Sequence, residues 1–286
     1  MVTYNEIYLD VRRKLRAAGV VAHDLEARLI VAYAAGKTRE ELLASSRMFV
    51  TDLAIQRSVD EMLKRRLNGE PVAYIVGEWE FYSLPILVNE SVMIPRVDTE
   101  VLAEVAIKLI RRRGWQTRLL DMCAGSGCVG LAVAANVPGC RVVLADVSEQ
   151  ALAICRTNML RNSLSRHVTA IEVDAMDTPP ALLGAFDVIV SNPPYIPTRD
   201  LQTLDRSVRD YEPVSALDGG PDGLYFFRAI ATNWSTLLKP SGNLALECGE
   251  GQADSVREIL EDSGFKDIKT YPDSLGIERV VVGTFK

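Results

Sequence analysis

Apolar side chains in the first seventy residues recur every three or four positions, which is the spacing of amphipathic helices. Ile7, Val11 and Leu15 share one such helix face. Asp52 precedes the longest segment of this kind and can cap it by accepting a backbone hydrogen bond. The pattern predicts a small N-terminal helical bundle domain at residues 1–70, with about four helices.

Aromatic and β-branched residues replace the helical pattern between residues 71 and 94. They form three short runs, at residues 74–76, 79–82 and 86–88. Short runs of this composition are typical of the strands of β-hairpins. We therefore predict that residues 71–94 form a β-hairpin linker.

From residue 95 to residue 286, short apolar runs alternate with helical segments. The predicted strands lie at residues 118–121, 141–145, 168–173, 186–190, 243–247, 268–270 and 277–282. The predicted helices lie at residues 99–112, 129–136, 224–238 and 252–262. Asp98 or Thr99 is a suitable cap for the first of these helices. This alternation predicts an α/β domain at residues 95–286, built on a seven-stranded doubly wound sheet.

The fourth predicted strand runs into Asn192-Pro193-Pro194-Tyr195, the first candidate site. Prolines donate no backbone hydrogen bond, so sheet pairing must stop there. The side chain of Asn192 and the backbone carbonyls of Asn192 and Pro193 can accept both hydrogens of a planar NH2 group. Tyr195 can cover that group or face a nearby cation. The loop therefore suits methyl transfer to an amide or aryl amine, and the alternative is a structural turn with a packed tyrosine.

A loop with two glycines follows the first predicted strand and forms the second candidate site. Asp121, Asp146 and Asp174 end three successive predicted strands, where they can bind a ligand amine, ribose hydroxyls and an adenine amine. Three acidic strand ends around a glycine loop predict S-adenosylmethionine as the cofactor, with S-adenosylhomocysteine as the product. The predicted cofactor contacts are Asp121, Cys123, Ala124, Gly125, Ser126, Gly127, Asp146, Val147, Asp174, Ala175 and Asn192.

Two further features border these sites in the sequence. Arg96 can be either a buried ion-pair partner or a contact to the substrate, with the ion pair slightly favoured. Residues 197–223 form a long segment rich in turn residues. Long loops of this kind are usually functional, so we predict a lid or a substrate platform.

Composition and charge narrow the classes of function. The 286-residue chain carries a net charge of −6, which argues against broad nucleic-acid binding. No apolar run can span a bilayer and no signal-peptide pattern is present, so a cytoplasmic location is expected. The five cysteines lack metal-ligand spacing and the two histidines are far apart. We therefore predict no metal site and no histidine base.

Motifs along nearly the whole chain resemble those of the release-factor glutamine N-methyltransferases, the PrmC/HemK family. The resemblance is carried by residues 70–75, Ile94-Pro95-Arg96 with Asp98-Thr99-Glu100, residues 191–195, Tyr211-Glu212-Pro213 and residues 219–224. It implies a class I S-adenosylmethionine-dependent methyltransferase fold. It also implies methyl transfer to the glutamine side chain of the Gly-Gly-Gln motif in peptide-chain release factors.

The resemblance implies roles for individual residues as well. Asn192, Pro193 and Tyr195 would hold the glutamine amide, beside Pro194 and Arg96 as further substrate contacts, and the helical domain would help to dock the factor. One position departs from the family pattern D-x-G-x-G-x-G, because Cys123 replaces its first glycine. Cys123 must then avoid a glycine-only conformation or carry strain.

The hypothesis is direct transfer of the methyl group without a dedicated base, because the amide nitrogen becomes strongly acidic once it is methylated. One alternative is a nucleic-acid methyltransferase that acts on the exocyclic amine of adenine or guanine, although such an enzyme ordinarily carries a basic recognition region. Another is a noncatalytic binding module. The chain is expected to act as a monomer, without a membrane and without direct contact to nucleic acid.

Overall fold

The computed structural model describes residues 2–114 and 116–286. The chain divides into two compact units. The first contains the residues up to Gly77 together with Arg206–Tyr211, and the second contains Glu78–Asp205 and Glu212–Lys286. In the part of the chain that is described, no helix is both long and apolar enough to cross a membrane.

The first unit is helical, in agreement with its apolar spacing. Its helices are α1 (Tyr4–Ala17), α2 (His23–Ala34), α3 (Arg39–Ala44), α4 (Leu53–Leu67) and α5 (Val72–Val76). The predicted cap is present, because the Asp52 side chain accepts a hydrogen bond from the backbone of Ala54 at the start of α4. Two short strands, β1 (Val2–Thr3) and β2 (Phe49–Val50), pair antiparallel and were not predicted.

The predicted hairpin is shorter than the sequence pattern suggested. Its strands are β3 (Glu78–Phe81) and β4 (Leu84–Leu87), paired antiparallel. The prediction of a strand at residues 74–76 is wrong, because these residues end helix α5. Four of the five residues of α5 are buried, and periodicity cannot distinguish a short buried helix from a buried strand. Gly77 ends the helix in the left-handed conformation.

The second unit contains the predicted seven-stranded sheet. Its strands are β5 (Arg118–Met122), β6 (Arg141–Asp146), β7 (Val168–Glu172), β8 (Phe186–Ser191), β9 (Leu238–Glu247), β10 (Lys266–Pro272) and β11 (Glu278–Thr284). The longer helices of this unit are α6 (Glu100–Arg113), α7 (Cys128–Asn136), α8 (Glu149–Arg161), α10 (Tyr225–Asn233) and α11 (Ala253–Asp262), and the short helix α9 (Arg206–Arg209) belongs to the first unit.

The strand order is β10-β11-β9-β8-β5-β6-β7. Strands β5 to β9 pair in parallel, whereas β11 pairs antiparallel with both β9 and β10. From β5 the chain proceeds outward through β6 and β7, and it then returns to build β8 and β9 on the other side. The switch point between β5 and β8 is where open α/β sheets hold their ligands.

Helices cover both faces of this sheet. Trp234, which follows α10 directly, is fully buried with Leu120, Ile189 and Leu246 on one face. On the other face Gly130 of α7 lies so close to the sheet that an added Cβ would come within 2.4 Å of a Leu144 methyl group. The predicted class I methyltransferase architecture, a doubly wound α/β sheet, is therefore confirmed.

Candidate active site

An open cavity lies over the carboxyl ends of β5, β6 and β8, at the switch point. The predicted site residues that line it are Asp121, Cys123, Ala124, Gly125, Ser126, Asp146, Val147, Asp174, Ala175, Asn192 and Pro194. Residues far apart in the chain meet here because parallel strands end at the same edge of a sheet.

The loop after β5 turns through three residues with positive φ. Gly125 and Gly127 adopt φ values of +56° and +80°, and Cys123 adopts +59°. Of the two outcomes expected for Cys123, strain is therefore the observed one, at a cost of about 1–2 kcal/mol for a residue with a side chain. Gly127 does not line the cavity, but it is the N-cap residue of α7, and an added Cβ would come within 2.8 Å of Leu144.

Asp121 is 2% exposed at the end of β5. Its carboxylate accepts a 2.8 Å hydrogen bond from the backbone N–H of Gly130 in α7. Burial raises the pKa of Asp121 to about 7, and the nearby charge of Asp146 acts in the same direction. The carboxyl group is therefore divided between its neutral and ionised forms near neutral pH.

Asp146 ends β6 with both carboxylate oxygens engaged by backbone groups. One oxygen accepts from Gly125 N at 2.8 Å and the other from Ser148 N at 3.0 Å. Burial raises the pKa of Asp146, and these hydrogen bonds partly oppose the rise. Asp174 is held in a similar way, by a 2.8 Å bond from Met176 N. Each carboxylate is thus fixed in orientation while it still has lone pairs available for a ligand.

Asn158, on α8, holds the glycine loop from behind and was not predicted. It is fully buried and donates hydrogen bonds to the carbonyl oxygens of Ser126, at 3.0 Å, and Leu87, at 3.1 Å. Its own Oδ1 accepts from Leu87 N at 2.7 Å. The side chain therefore ties the hairpin strand β4 to the loop that follows β5.

Asn192 lies at the end of β8, immediately after Ser191. Its Nδ2 donates a 3.2 Å hydrogen bond to Oγ1 of Thr99, which is 1% exposed. The Thr99 hydroxyl in turn donates to Oε1 of Glu247 at 3.0 Å. The Asn192 amide group is thus held by its nitrogen end, beside the cavity that the residue lines.

Pro193 and Tyr195 do not line the cavity. Pro193 is buried, and Tyr195 packs against the core of the sheet. The Tyr195 carbonyl accepts from Gln252 Nε2 at 3.0 Å, and an added Cβ at Gly249 would lie 3.2 Å from the tyrosine ring. Burial raises the pKa of the Tyr195 hydroxyl to about 12.

Arg96 also lies outside the cavity lining and makes an ion pair with Glu212. The Glu212 side chain is 1% exposed, whereas that of Arg96 is 42% exposed. Glu212 also accepts from Ile94 N at 3.3 Å. Burial raises the pKa of Glu212, and the charge of Arg96 opposes this rise. Arg96 therefore forms the expected ion pair, although its own side chain is not buried.

Several residues of the site were not identified from the sequence. Val92 and Met93, in the segment before α6, line the cavity. Thr99 and Phe226 line it as well. Pro213, Ser215 and Ala216 bring part of the predicted lid segment to the same cavity. Glu247 carries the same signal that identified the three aspartates, because it is an acidic residue at a strand end. Applying that rule to every strand would have found it.

Comparisons with known proteins agree with this fold. The profile described as PrmC N-terminal domain matches residues 6–77, and the profile described as Methyltransferase small domain matches residues 97–208. A release factor glutamine methyltransferase of Geobacter sulfurreducens is 43% identical over 222 residues, which cover 78% of this chain and 76% of the relative. Another, of Caulobacter vibrioides, is 34% identical over 282 residues, which cover 99% and 96%.

Among solved structures, a methyltransferase from Pyrococcus furiosus superposes with a TM-score of 0.51. The match covers 79% of this chain and 98% of that chain at 18% sequence identity. At this identity the likeness shows the fold alone.

Proposed function

The chain belongs to the family of release factor glutamine methyltransferases, and from this premise we propose that it methylates the side-chain amide nitrogen of the Gly-Gly-Gln glutamine in peptide-chain release factors. The observation that carries the proposal is the Asn192 amide, held by its nitrogen end beside the cavity at the switch point. An amide oxygen in this place can accept a hydrogen bond from a substrate NH2 group.

Membership of a methyltransferase family implies S-adenosylmethionine, which supplies an electrophilic methyl group on a sulfonium centre when it is bound. The cavity suits such a ligand in charge, because Asp121, Asp146 and Asp174 line it. It also lets a ligand approach the backbone of the glycine loop closely, since the space beside Gly125 is open: an added Cβ there would meet no atom within 4 Å. We assign the ligand amine to Asp121, the ribose hydroxyls to Asp146 and the adenine amine to Asp174.

The acceptor amide needs activation, because its nitrogen lone pair is delocalised into the carbonyl. Hydrogen bonds from its NH2 group to Oδ1 of Asn192 and to the backbone carbonyl of Pro193 would fix its rotation and raise the electron density on nitrogen. Tyr195 supports this loop from the core side. The nitrogen sheds its proton readily after methylation, so these residues need only to hold and orient the amide.

The proposed roles are divided among the parts of the chain. We propose that the helical domain at residues 1–70 binds the release factor, that residues 71–94 act as a linker, and that residues 95–286 carry catalysis. Arg96 contributes to substrate binding through the exposed part of its side chain. The protein acts as a monomer in the cytoplasm, where peptide-chain release takes place.

A nucleic-acid amine methyltransferase would use the same Asn-Pro-Pro-Tyr chemistry. The net charge of −6 and the N-terminal match to the PrmC domain favour the protein substrate instead.

The test is methyl transfer from labelled S-adenosylmethionine to a purified release factor. Label is expected on the wild-type factor and not on a factor in which the Gly-Gly-Gln glutamine is replaced by alanine. Label on both factors would place the methyl group elsewhere. Label on neither factor, with the cofactor still bound in a calorimetric titration, would refute the release factor as the substrate and favour nucleic acid.

A further inference from the structure

We propose that Thr99 and Glu247 are positioning residues that fix which end of the Asn192 amide faces the substrate. The inference rests on the proposed function, because it concerns the same acceptor site. The nitrogen and oxygen ends of a carboxamide have nearly the same shape, so packing alone cannot select one of them. Only a neighbouring donor or acceptor can make that selection.

The selection follows from the single proton of the Thr99 hydroxyl. That proton is donated to Oε1 of Glu247 at 3.0 Å. The hydroxyl oxygen can then only accept from its other neighbour, 3.2 Å away, so this neighbour must be the nitrogen end of Asn192. Oδ1 of Asn192 is left to face the cavity.

The acceptor in this chain of hydrogen bonds is Oε1 of Glu247, which can accept whether or not the other carboxyl oxygen carries a proton. Glu247 is 3% exposed, and its Oε2 has no hydrogen-bond partner among the described residues. The Arg279 guanidinium makes its ion pairs with Asp98 at 3.2 Å and Asp273 at 3.0 Å. Oε1 of Glu247 accepts from the Thr99 hydroxyl, and the Asn192 side chain also lowers the pKa of Glu247, as a hydrogen-bond donor would.

The opposite orientation of Asn192 would impair the proposed chemistry. Its NH2 group would face the NH2 group of the substrate, so two donors would meet and no acceptor would hold the amide nitrogen. A buried donor without an acceptor costs about 1–3 kcal/mol. A site that allowed both orientations would therefore hold the acceptor amide correctly only part of the time.

The first experiment compares Thr99→Val with Thr99→Ser. Valine keeps the shape of threonine but removes the hydroxyl, and it should lower kcat for release-factor methylation about 10- to 100-fold while the affinity for S-adenosylmethionine changes little. Serine keeps the hydroxyl and should restore most of the rate. Thr117→Val is the matched control, because Thr117 is also buried (3% exposed) but lies before β5, at the opposite end of the strands.

A double-mutant cycle separates positioning from a general structural effect. If Thr99 acts through Asn192, Thr99→Val should cause no further loss of rate in an Asn192→Ala background. The same fold loss in both backgrounds would overturn the inference. Glu247→Leu provides a second route: it frees the Thr99 proton to point either way, and turnover should fall about tenfold. An unchanged rate in both Thr99→Val and Glu247→Leu would also overturn it.

A substrate-independent measurement keeps the inference testable if the proposed function fails. The side-chain amide protons of Asn192 can be assigned in a nitrogen-15 spectrum by their disappearance in Asn192→Ala. They should exchange slowly with solvent in the wild type and at least about tenfold faster in Thr99→Val. Equal exchange in the two proteins would refute the positioning role. Absence of label on any release factor with the wild-type enzyme would refute the proposed function alone.

Discussion

Replacing Glu247 with glutamine should change how the stability of the enzyme depends on pH. Burial raises the pKa of Glu247 from 4.5 to about 8. The charge of Asp98 also raises it, whereas the Thr99 hydrogen bond and the charge of Arg279 lower it. In the unfolded chain the carboxyl group loses its proton near its ordinary pKa. Between pH 4.5 and 8 the folded state therefore retains a proton that the unfolded state has released.

The sign and size of the effect follow from this difference. Below pH 4.5 the group is neutral in both states and its titration contributes nothing to the free energy of unfolding. As the pH rises toward 8, the folded state binds more protons than the unfolded state, so stability falls by about 1.36 kcal/mol per pH unit. The full loss is about 5 kcal/mol and is complete above pH 8. Glutamine does not titrate, so the variant lacks this loss.

Urea unfolding at several pH values between 5 and 9 measures the effect. Tryptophan fluorescence is a suitable probe, because Trp234 is fully buried in the core of the sheet. The advantage of Glu247→Gln over the wild type should grow from pH 5 to pH 8 and then level off. Because the pKa of Asp121 is also raised, the stability of both proteins falls with rising pH through this group as well. Only the difference in stability between the two proteins therefore reports on Glu247. A difference that does not vary with pH would show that Glu247 is ionised in the folded protein.

Three further predictions follow from the site. Asn192→Ala should lower the rate of methyl transfer at least about 100-fold, because it removes an acceptor for the substrate NH2 group. It should shift the melting temperature by less than about 4 °C, because it removes little packing. Near-normal turnover would exclude the proposed role of Asn192. Cys123→Gly should be about 1 kcal/mol more stable toward urea than Cys123→Ala, because alanine retains the strained φ of +59°. Equal stabilities would show that the loop relaxes. Binding of S-adenosylmethionine at pH 7 should release protons, because a ligand amine would lower the pKa of Asp121 from about 7. Calorimetry in buffers of different ionisation enthalpy measures this release, which should disappear in Asp121→Asn.

The sheet could be predicted from the sequence because its strands are buried on both sides. The run at residues 188–190 is fully buried in β8, as its continuous apolar pattern indicated. Once strands are parallel and ordered around a switch point, the loops that follow β5 and β8 must lie side by side. The meeting of the glycine loop with Asn192 therefore needed no knowledge of side-chain contacts.

Contacts between side chains distant in sequence could not be predicted in this way. Thr99 and Glu247 are 148 positions apart and meet through one hydrogen bond. The sequence predicts Asp98 or Thr99 as a helix cap, but the Thr99 side chain makes no capping hydrogen bond to α6. The strain at Cys123 was one of two expected outcomes, and only the backbone conformation could decide between them.

Three unfavourable groups of this unit lie where its chemistry is proposed to occur. Asp121 and Glu247 are buried carboxyl groups with strongly raised pKa values, and Cys123 has a side chain in a conformation that favours glycine. None of the three is explained by stability alone, because apolar or glycine replacements would fold at lower cost. All three lie at the carboxyl ends of β5 and β9, on either side of the strand that carries Asn192. Asp121 and Cys123 line the cavity, and Glu247 is linked to it through Thr99, so their position is best explained by the binding and orientation of ligands.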